Sequence, residues 1–329
     1  MNYQNENLFV PKLCLFVLAV ILFCGCRNNI VLEREGRNVI VVSVEPHAFL
    51  VERIGGNFVR VEVLVPMGKE PESYQPTPER IVVLTRAKVF FRTGMPFEQV
   101  IIPKLKSFAP DLKIIDLRKG IKLRPLDFHE HNSNYNNSHD HGKLSDSHEH
   151  LHESDSNEHL AKWEDFGSDP HIWFSLNLLK IEAEAVLGTL IGIDPKNEEL
   201  YRRNFDNFIA ELESVREQVN EILKPVKGKT IFVFHPTYGY FCDEFNLNQR
   251  AIEVGGKAPR PQQLVSVINE ALEIGTQSGK KPTIFVQPEF NRTPAKSVAE
   301  AVNGRIVEHS ALEGNIFKSM VNFAEEVAR

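Results

Sequence analysis

The sequence predicts an α/β protein with two lobes, each a parallel sheet covered by helices, joined by a long rigid interlobe helix. Three observations support this prediction. Short apolar runs rich in β-branched residues, such as Val39 to Val44, are typical of strands buried on both faces. Strand and helix patterns alternate in both halves of the chain, as in parallel sheets. Between the halves, residues 196–223 have helical periodicity over roughly 28 residues, or ~42 Å of helix.

In the first half, strands and helices are expected to alternate. The strands are predicted at residues 39–44, 60–65, 89–92 and 113–117, and helices at 48–54, from 77 onward, and at 96–105. Gly55-Gly56 ends the first helix, and Thr77-Pro78 opens the second with a capping residue and a proline in its first turn.

The second half repeats this plan. After helices at 176–192 and 196–223, strands are predicted at 230–234, 251–254, 283–286 and 305–307, with helices at 238–245, 261–274, 294–302 and 315–327. The expected segments are therefore a signal peptide (1–25), a first lobe (26–127), a histidine-rich acidic loop (128–168), an interlobe helical region (169–225) and a second lobe (226–329).

Candidate metal ligands follow the predicted strands. Ligands bind beyond the carboxyl ends of strands in open α/β sheets. His47 follows the first strand, Glu72 lies in the loop after the second, and His235 directly follows residues 230–234. With His171, at the entry to the second-half helices, these side chains are expected to surround one metal ion in a cleft between the lobes.

Two further polar residues follow later strands. Glu289 is a less favoured source of another carboxylate, and His309 is expected at the surface or behind the ligands.

A histidine-rich stretch precedes His171. Eight of the twelve histidines lie between His129 and His159, among Asp, Glu, Ser and Asn. Imidazole is a common zinc ligand, and a segment with so few apolar residues cannot build a core. The composition favours metal capture over a passive linker.

The charge distribution argues against a nucleic-acid-binding protein, and the cysteine content argues against a disulfide-bonded fold. The net charge is −6, and residues 127–169 carry eleven Asp or Glu against two Lys, so the remainder is slightly basic. We find no basic stripe and no recognition motif for nucleic acid. Of the four cysteines, only Cys242 would remain unmodified after export, and it is expected to be a small buried residue.

The N-terminus has the pattern of a targeting segment. An apolar run from Leu13 to Phe23 follows Lys12 and is short for a membrane-spanning helix. It continues into Cys24-Gly25-Cys26, which resembles a bacterial lipoprotein signal in which Cys26 is lipidated. A plain signal peptide and an N-terminal membrane anchor are the alternatives. All three place the globular part outside the cytoplasm.

Three ordered motifs carry a resemblance to one family. They are Gly68-Lys69-Glu70-Pro71-Glu72-Ser73-Tyr74-Gln75-Pro76-Thr77-Pro78, Asp169-Pro170-His171-Ile172-Trp173 and His235-Pro236-Thr237-Tyr238-Gly239-Tyr240-Phe241. The chain resembles the metal-binding solute receptors of bacterial zinc and manganese ABC transporters. The resemblance implies that His171 and His235 are metal ligands, and that the partners are a permease and its ATPase.

The sequence departs from the family pattern at two places. Glu72 stands where the family usually has His, so the first-lobe ligand is either Glu72 itself or His47 from the neighbouring strand end. Ser310 stands near the position of an Asp that often serves manganese receptors. Imidazole ligands without that carboxylate favour zinc, as does the histidine-rich insertion, which resembles that of the zinc branch.

Other functions are weighed against this one. His148-Glu149-His150-Leu151-His152 formally matches a zinc-protease motif, but that motif requires a packed helix, and none is expected there. A manganese or iron receptor of the same fold and a zinc buffer without a transporter remain alternatives. The sequence thus predicts a non-enzymatic, monomeric, lipid-anchored receptor outside the cytoplasm that binds Zn²⁺ as its transported ligand.

Overall fold

A computed structural model describes residues 37–125, 168–253 and 259–329. They form two four-stranded sheets in which every strand pairing is parallel. The first sheet, in the order β2-β1-β3-β4, consists of β1 (Asn38–Val42), β2 (Val59–Val63), β3 (Val89–Arg92) and β4 (Lys113–Asp116). The second, in the order β6-β5-β7-β8, consists of β5 (Thr230–Val233), β6 (Asn248–Ala251), β7 (Thr283–Val286) and β8 (Arg305–Glu308). The predicted fold class, two parallel α/β lobes, is confirmed.

Three helices belong to the first lobe: α1 (Glu45–Gly55), α2 (Pro78–Leu84) and α3 (Pro96–Phe108). The expected stop at the end of α1 has a steric cause. A Cβ on Gly55 would lie 2.5 Å from both methyl groups of Val59, and Gly56 adopts φ 55°, a conformation that favours glycine. The chain can therefore turn tightly from α1 into β2.

Two helices, α4 (Leu176–Ile193) and α5 (Glu198–Leu223), link the lobes. The side chain of Ser175 caps α4 by accepting a hydrogen bond from the backbone N–H of Leu178. Asp194 holds the junction between the helices, where its carboxylate accepts hydrogen bonds from Tyr201 Oη at 2.8 Å and from Asn38 Nδ2 at 3.3 Å. The junction is thereby tied to the first strand of the sheet.

The second lobe contains α6 (Gly239–Phe245), α7 (Pro261–Ser278), α8 (Thr293–Ala301) and α9 (Ile316–Ala328). Helices α7 and α8 cover one face of the second sheet with a small core of their own. The other face belongs to a larger core that continues through α9, α5 and α4 into the first lobe. On this path Phe208 of α5 stacks on Phe317 of α9, with ring centroids 5.0 Å apart. One apolar core therefore connects the two lobes.

The elements match the sequence prediction closely, with one clear error. The strand expected at 251–254 is β6, which begins at Asn248 and ends at Ala251. Its residues are mostly polar because β6 lies at the sheet edge, and its position is determined by pairing with β5. An apolar pattern could not reveal it.

The predicted signal segment, Cys26 and nearly all of the histidine-rich loop lie outside the described residues, so the predicted segment boundaries remain predictions. Within the described ranges, every helix is too short or too polar to cross a membrane.

Candidate metal site

Glu72, His171 and His235 bring one ligand atom each into a group that spans no more than 4.8 Å. Glu72 Oε1 lies 2.7 Å from His171 Nε2 and 3.2 Å from His235 Nε2. The two Nε2 atoms are 3.3 Å apart. Both imidazole side chains are about 95% buried or more, and that of Glu72 is 18% exposed. The sequence placed these three residues in one site, and the structure brings them together.

Each of the three candidate ligands comes from a different segment. Glu72 lies in the loop between β2 and α2, and His171 directly precedes the 3-10 turn Ile172–Phe174 that leads into α4. His235 follows the end of β5, where Gln287 accepts a hydrogen bond from its backbone N–H and donates one to its carbonyl. The site is thus assembled from the loop after β2, the start of the linking region and the carboxyl end of the second sheet.

Two buried carboxylates orient the imidazoles. Asp169 Oδ1 lies 2.7 Å from His171 Nδ1, and Glu253 Oε2 lies 3.1 Å from His235 Nδ1. A carboxylate at Nδ1 accepts a hydrogen bond from Nδ1–H, which fixes the tautomer and leaves the Nε2 lone pair free to face a metal. Both Nε2 atoms point toward Glu72, as a shared ion would require.

The dimensions fit a single ion. In a tetrahedral zinc site with bonds of about 2.1 Å, ligand atoms lie about 3.4 Å apart. Two of the three separations, 3.2 and 3.3 Å, are close to this value, and the third is a hydrogen-bond distance. The pocket beside these atoms has a volume of about 10 Å³, roughly one water-sized sphere. Glu72 Oε2 is buried and has no hydrogen-bond partner among the described residues, so it retains an unused acceptor.

The charges of the site shift the pKa of every ligand. Burial alone would raise the pKa of Glu72, but the charge of His235 and the hydrogen bonds from both imidazoles hold it well below its ordinary value. Burial alone would lower the pKa of His235, but Glu72 and Glu253 outweigh burial and raise it to about 10. The pKa of His171 is raised because Asp169 and Glu72 outweigh its burial. Without a metal ion, the site therefore holds protons.

His47 lies elsewhere. It is fully buried at the start of α1, and its Nε2 is 2.7 Å from the carboxylate of Glu182 on α4. Its ring makes an edge contact with Trp173, whose other edge partner is His171. His47 thus has a carboxylate partner of its own and does not belong to the group of three ligand atoms.

Three other expectations have different outcomes. Glu289 lines the same small pocket and accepts a hydrogen bond from Ser310 Oγ, outside the group of three. The prediction that His309 lies at the surface is wrong. His309 is buried against Tyr238 and Ser319, and burial lowers its pKa to about 4. Cys242 is buried, as expected.

Sequence reasoning missed both orienting carboxylates. Asp169 belongs to the quoted motif, and its position two residues before His171 was an available signal. Glu253 is eighteen positions from His235 along the chain and reaches it only because β6 pairs with β5. Nothing in the local sequence indicates that contact.

The two lobes and a buried, ion-sized site between them define the class of protein: a metal-binding solute receptor. A model of the ZnuA family, described as zinc-uptake complex component A, periplasmic, matches residues 40–325. The chain belongs to this family.

Curated relatives and solved structures agree with the family. The high-affinity zinc uptake system protein ZnuA of Yersinia pestis is 26% identical over 298 residues, 88% of each chain. A manganese-binding lipoprotein, MntA of Halalkalibacterium halodurans, is 23% identical over 86% of this chain and 84% of its own. A crystal structure of a ZnuA deletion mutant with zinc bound is 28% identical and has a TM-score of 0.72, covering 89% of this chain and 97% of that one.

Zinc affinity should rise with pH between pH 6 and pH 9. The pKa values of both histidines are raised, so their protonation stabilises the metal-free fold. This contribution is fully present below the ordinary histidine pKa of about 6.5 and is lost as pH rises through the raised values. Zinc needs the deprotonated Nε2 and must displace these protons. At pH 7 we expect release of about one to two protons per ion. Calorimetry in buffers of different ionisation enthalpy measures this number, and release of none would contradict the expectation.

Proposed function

We propose that the protein is the extracytoplasmic receptor of a zinc-uptake ABC transporter. It binds one Zn²⁺ between its lobes through His171, His235 and Glu72 and delivers the ion to a permease. One observation carries this proposal. Three ligand atoms from three segments converge in a pocket with room for one ion. An organic solute would need a pocket of roughly 300 Å³ or more.

Glu72 is the first-lobe ligand we favour over His47. Its Oε1 already lies within 3.2 Å of both imidazole nitrogens, and its Oε2 has no other partner among the described residues. To reach the ion, His47 would have to break its contact with Glu182. The buried Glu182 carboxylate would then have no imidazole partner. Removing one partner of a buried pair costs about 3–5 kcal/mol.

Zinc is the cargo we favour over manganese. Two imidazoles and one carboxylate form a donor set common in zinc sites, and zinc binds N and O donors more tightly than manganese does. Manganese is the second candidate. Asp169 and Glu253 place two more carboxylates behind the imidazoles, and a manganese-binding lipoprotein is among the relatives. A zinc buffer that works without a transporter would use the same site.

The proposal includes no catalytic step. Three protein ligands also occur in catalytic zinc sites, where water or substrate takes the fourth position. Here a pocket of about 10 Å³ leaves no room for an organic substrate beside the ion. Three ligands instead suit a cargo ion that has to be released.

The ligand set is tested by calorimetry on single variants. We expect His171→Ala, His235→Ala and Glu72→Ala each to weaken zinc binding by more than about 100-fold, which is the upper range for loss of an outer-shell partner. His47→Gln is the matched control, because glutamine keeps a donor for Glu182 and should leave zinc affinity within about threefold of the parent. In the parent, zinc should bind more tightly than manganese. Full loss in His47→Gln with an unaffected Glu72→Ala would transfer the ligand role to His47.

We also propose that the histidine-rich stretch collects metal at lower affinity. Its composition supports this role, with eight histidines among acidic and polar residues. Deleting residues 128–160 should leave one tight zinc site and remove the weaker ones, since all three proposed ligands lie outside the deletion. Zinc titration of the parent and the deletion variant counts the sites. Loss of the tight site would place the receptor site in the loop instead.

A lipid anchor at Cys26 is the proposed attachment to the membrane, with the permease and its ATPase as partners. The support is the apolar run that ends in Cys24-Gly25-Cys26. Because the chain would lose its acyl group, Cys26→Ala should move it from the membrane fraction to the soluble fraction when the cells are fractionated. Cys242→Ala, which changes a buried cysteine of the second lobe, is the control. Unchanged fractionation of Cys26→Ala would favour an uncleaved membrane anchor.

We propose a monomer, because one chain supplies all three ligands, and light scattering of the purified protein checks its mass.

A further inference from the structure

A basic cavity of about 940 Å³ lies in the second lobe, away from the metal site. It is bounded by the amino ends of β5, β7 and β8 and by the C-terminal part of α7. The metal site lies at the opposite ends of these strands, since His235 follows β5. Four residues of strand separate the two ends by about 13 Å. The cavity is therefore a separate feature, and its volume is within the usual range for small-molecule sites.

Six cationic side chains line this cavity: Lys227, Lys229, Lys280, Lys281, Arg305 and Arg329. Glu326 pairs with both arginines, at 2.7 Å from Arg305. Within the described residues, the four lysines form no ion pair. Lys229 donates to the carbonyl of Val327, and Lys281 donates to Asn303. The cavity thus concentrates positive charge, and its four lysines have no ion-pair partner among the described residues.

Burial and neighbouring positive charges both disfavour the charged form of Lys229. Its side chain is partly buried, and burial together with the charges of Lys280 and Arg305 lowers its pKa. The C-terminus of α7 provides partial negative charge for a nearby cation, but the helix dipole corresponds to only about half an elementary charge. A bound anion would offset the rest.

The remainder of the cavity wall is largely apolar. Val226, Ile274 and Pro282 are half-buried and offer apolar surface to the cavity, whereas Ile231, Phe232 and Phe285 border it but are only 1–2% exposed. Helix α7 contributes Ile274, Gly275, Gln277 and Ser278 of its last turns to the wall. A ligand that fills the cavity would therefore contact both lysines and hydrocarbon.

We propose that this cavity binds an anionic amphiphile, a molecule that joins a phosphate or carboxylate group to an apolar chain. The lysines would contact the anionic group, and the apolar wall would cover the chain. Neither contact involves the metal ligands, so ligand binding in this cavity does not depend on zinc binding.

The test is calorimetry with dodecyl phosphate, below its micelle concentration, on the full chain. We expect binding to the parent and at least tenfold weaker binding to the double variant Lys280→Gln/Lys281→Gln. Both lysines are exposed, so the fold should be unaffected. The matched control is Lys104→Gln/Lys106→Gln on α3, which removes the same charge from exposed positions of the first lobe and should bind like the parent. Zinc affinity should be unchanged in both.

Two simpler probes separate the parts of the ligand. Inorganic phosphate and dodecanol should each bind at least tenfold more weakly than dodecyl phosphate. Equal binding of dodecanol would refute recognition of the anionic group, and equal binding of inorganic phosphate would refute a role for the apolar wall. No binding of dodecyl phosphate, or equal loss in both double variants, would overturn the proposal.

Vesicles of phosphatidylglycerol identify the source of the ligand. Both variants carry Cys26→Ala in this experiment, so that the proposed lipid anchor does not hold them on the vesicles. Cosedimentation that is weaker for Lys280→Gln/Lys281→Gln than for the control variant would indicate a bilayer lipid. Equal cosedimentation of the two variants, with dodecyl phosphate binding retained by the parent, would indicate a free amphiphile. Either result supports an amphiphile site.

Discussion

The contact between each site histidine and a buried carboxylate is the interaction on which the metal site depends. Asp169 and Glu253 bind the Nδ1 atoms of His171 and His235, so that both Nε2 atoms face Glu72. Three carboxylates surround the two imidazoles, and Arg124, 3.9 Å from Asp169, offsets only part of their negative charge. A nearly buried excess of negative charge is costly without compensation. Protons on the imidazoles or a divalent cation offset it. The raised pKa values of the histidines and the affinity for a cation have the same electrostatic cause.

The larger apolar core limits how the site can release an ion. It continues from the first sheet through α4, α5 and α9 to the second sheet, with Phe208 packed on Phe317 along the way. A large rotation between the lobes would expose this core to water, at about 25 cal/mol for each Å² of apolar surface. The loop that carries Glu72 has few regular backbone hydrogen bonds, so its displacement would disturb less structure. We therefore expect an ion to leave through movement of that loop rather than through rotation of the lobes.

The sequence predicted most of the fold because apolar periodicity marks buried strands and amphipathic helices. It failed at β6, whose polar residues at a sheet edge are positioned by backbone pairing with β5. The same pairing brings Glu253 to His235, so the orienting carboxylate was missed for the same reason. Position after a strand correctly indicated His235 and Glu72 as neighbours. It could not distinguish His47, because the direction of a side chain at the start of α1 depends on how that helix packs against α4.

The parallel sheet of the second lobe separates two opposite electrostatic environments. At the carboxyl ends of its strands, His235, Glu253 and Gln287 contribute to a site of net negative charge. At the amino ends, Thr230, Thr283 and Arg305 border a cavity rich in lysine. A sheet contributes little dipole of its own, so both environments arise from side chains. The two ends share no lining residue, so we expect substitutions at one end to leave the other intact. This separation allows metal binding and the proposed anion site to be studied independently in the same chain.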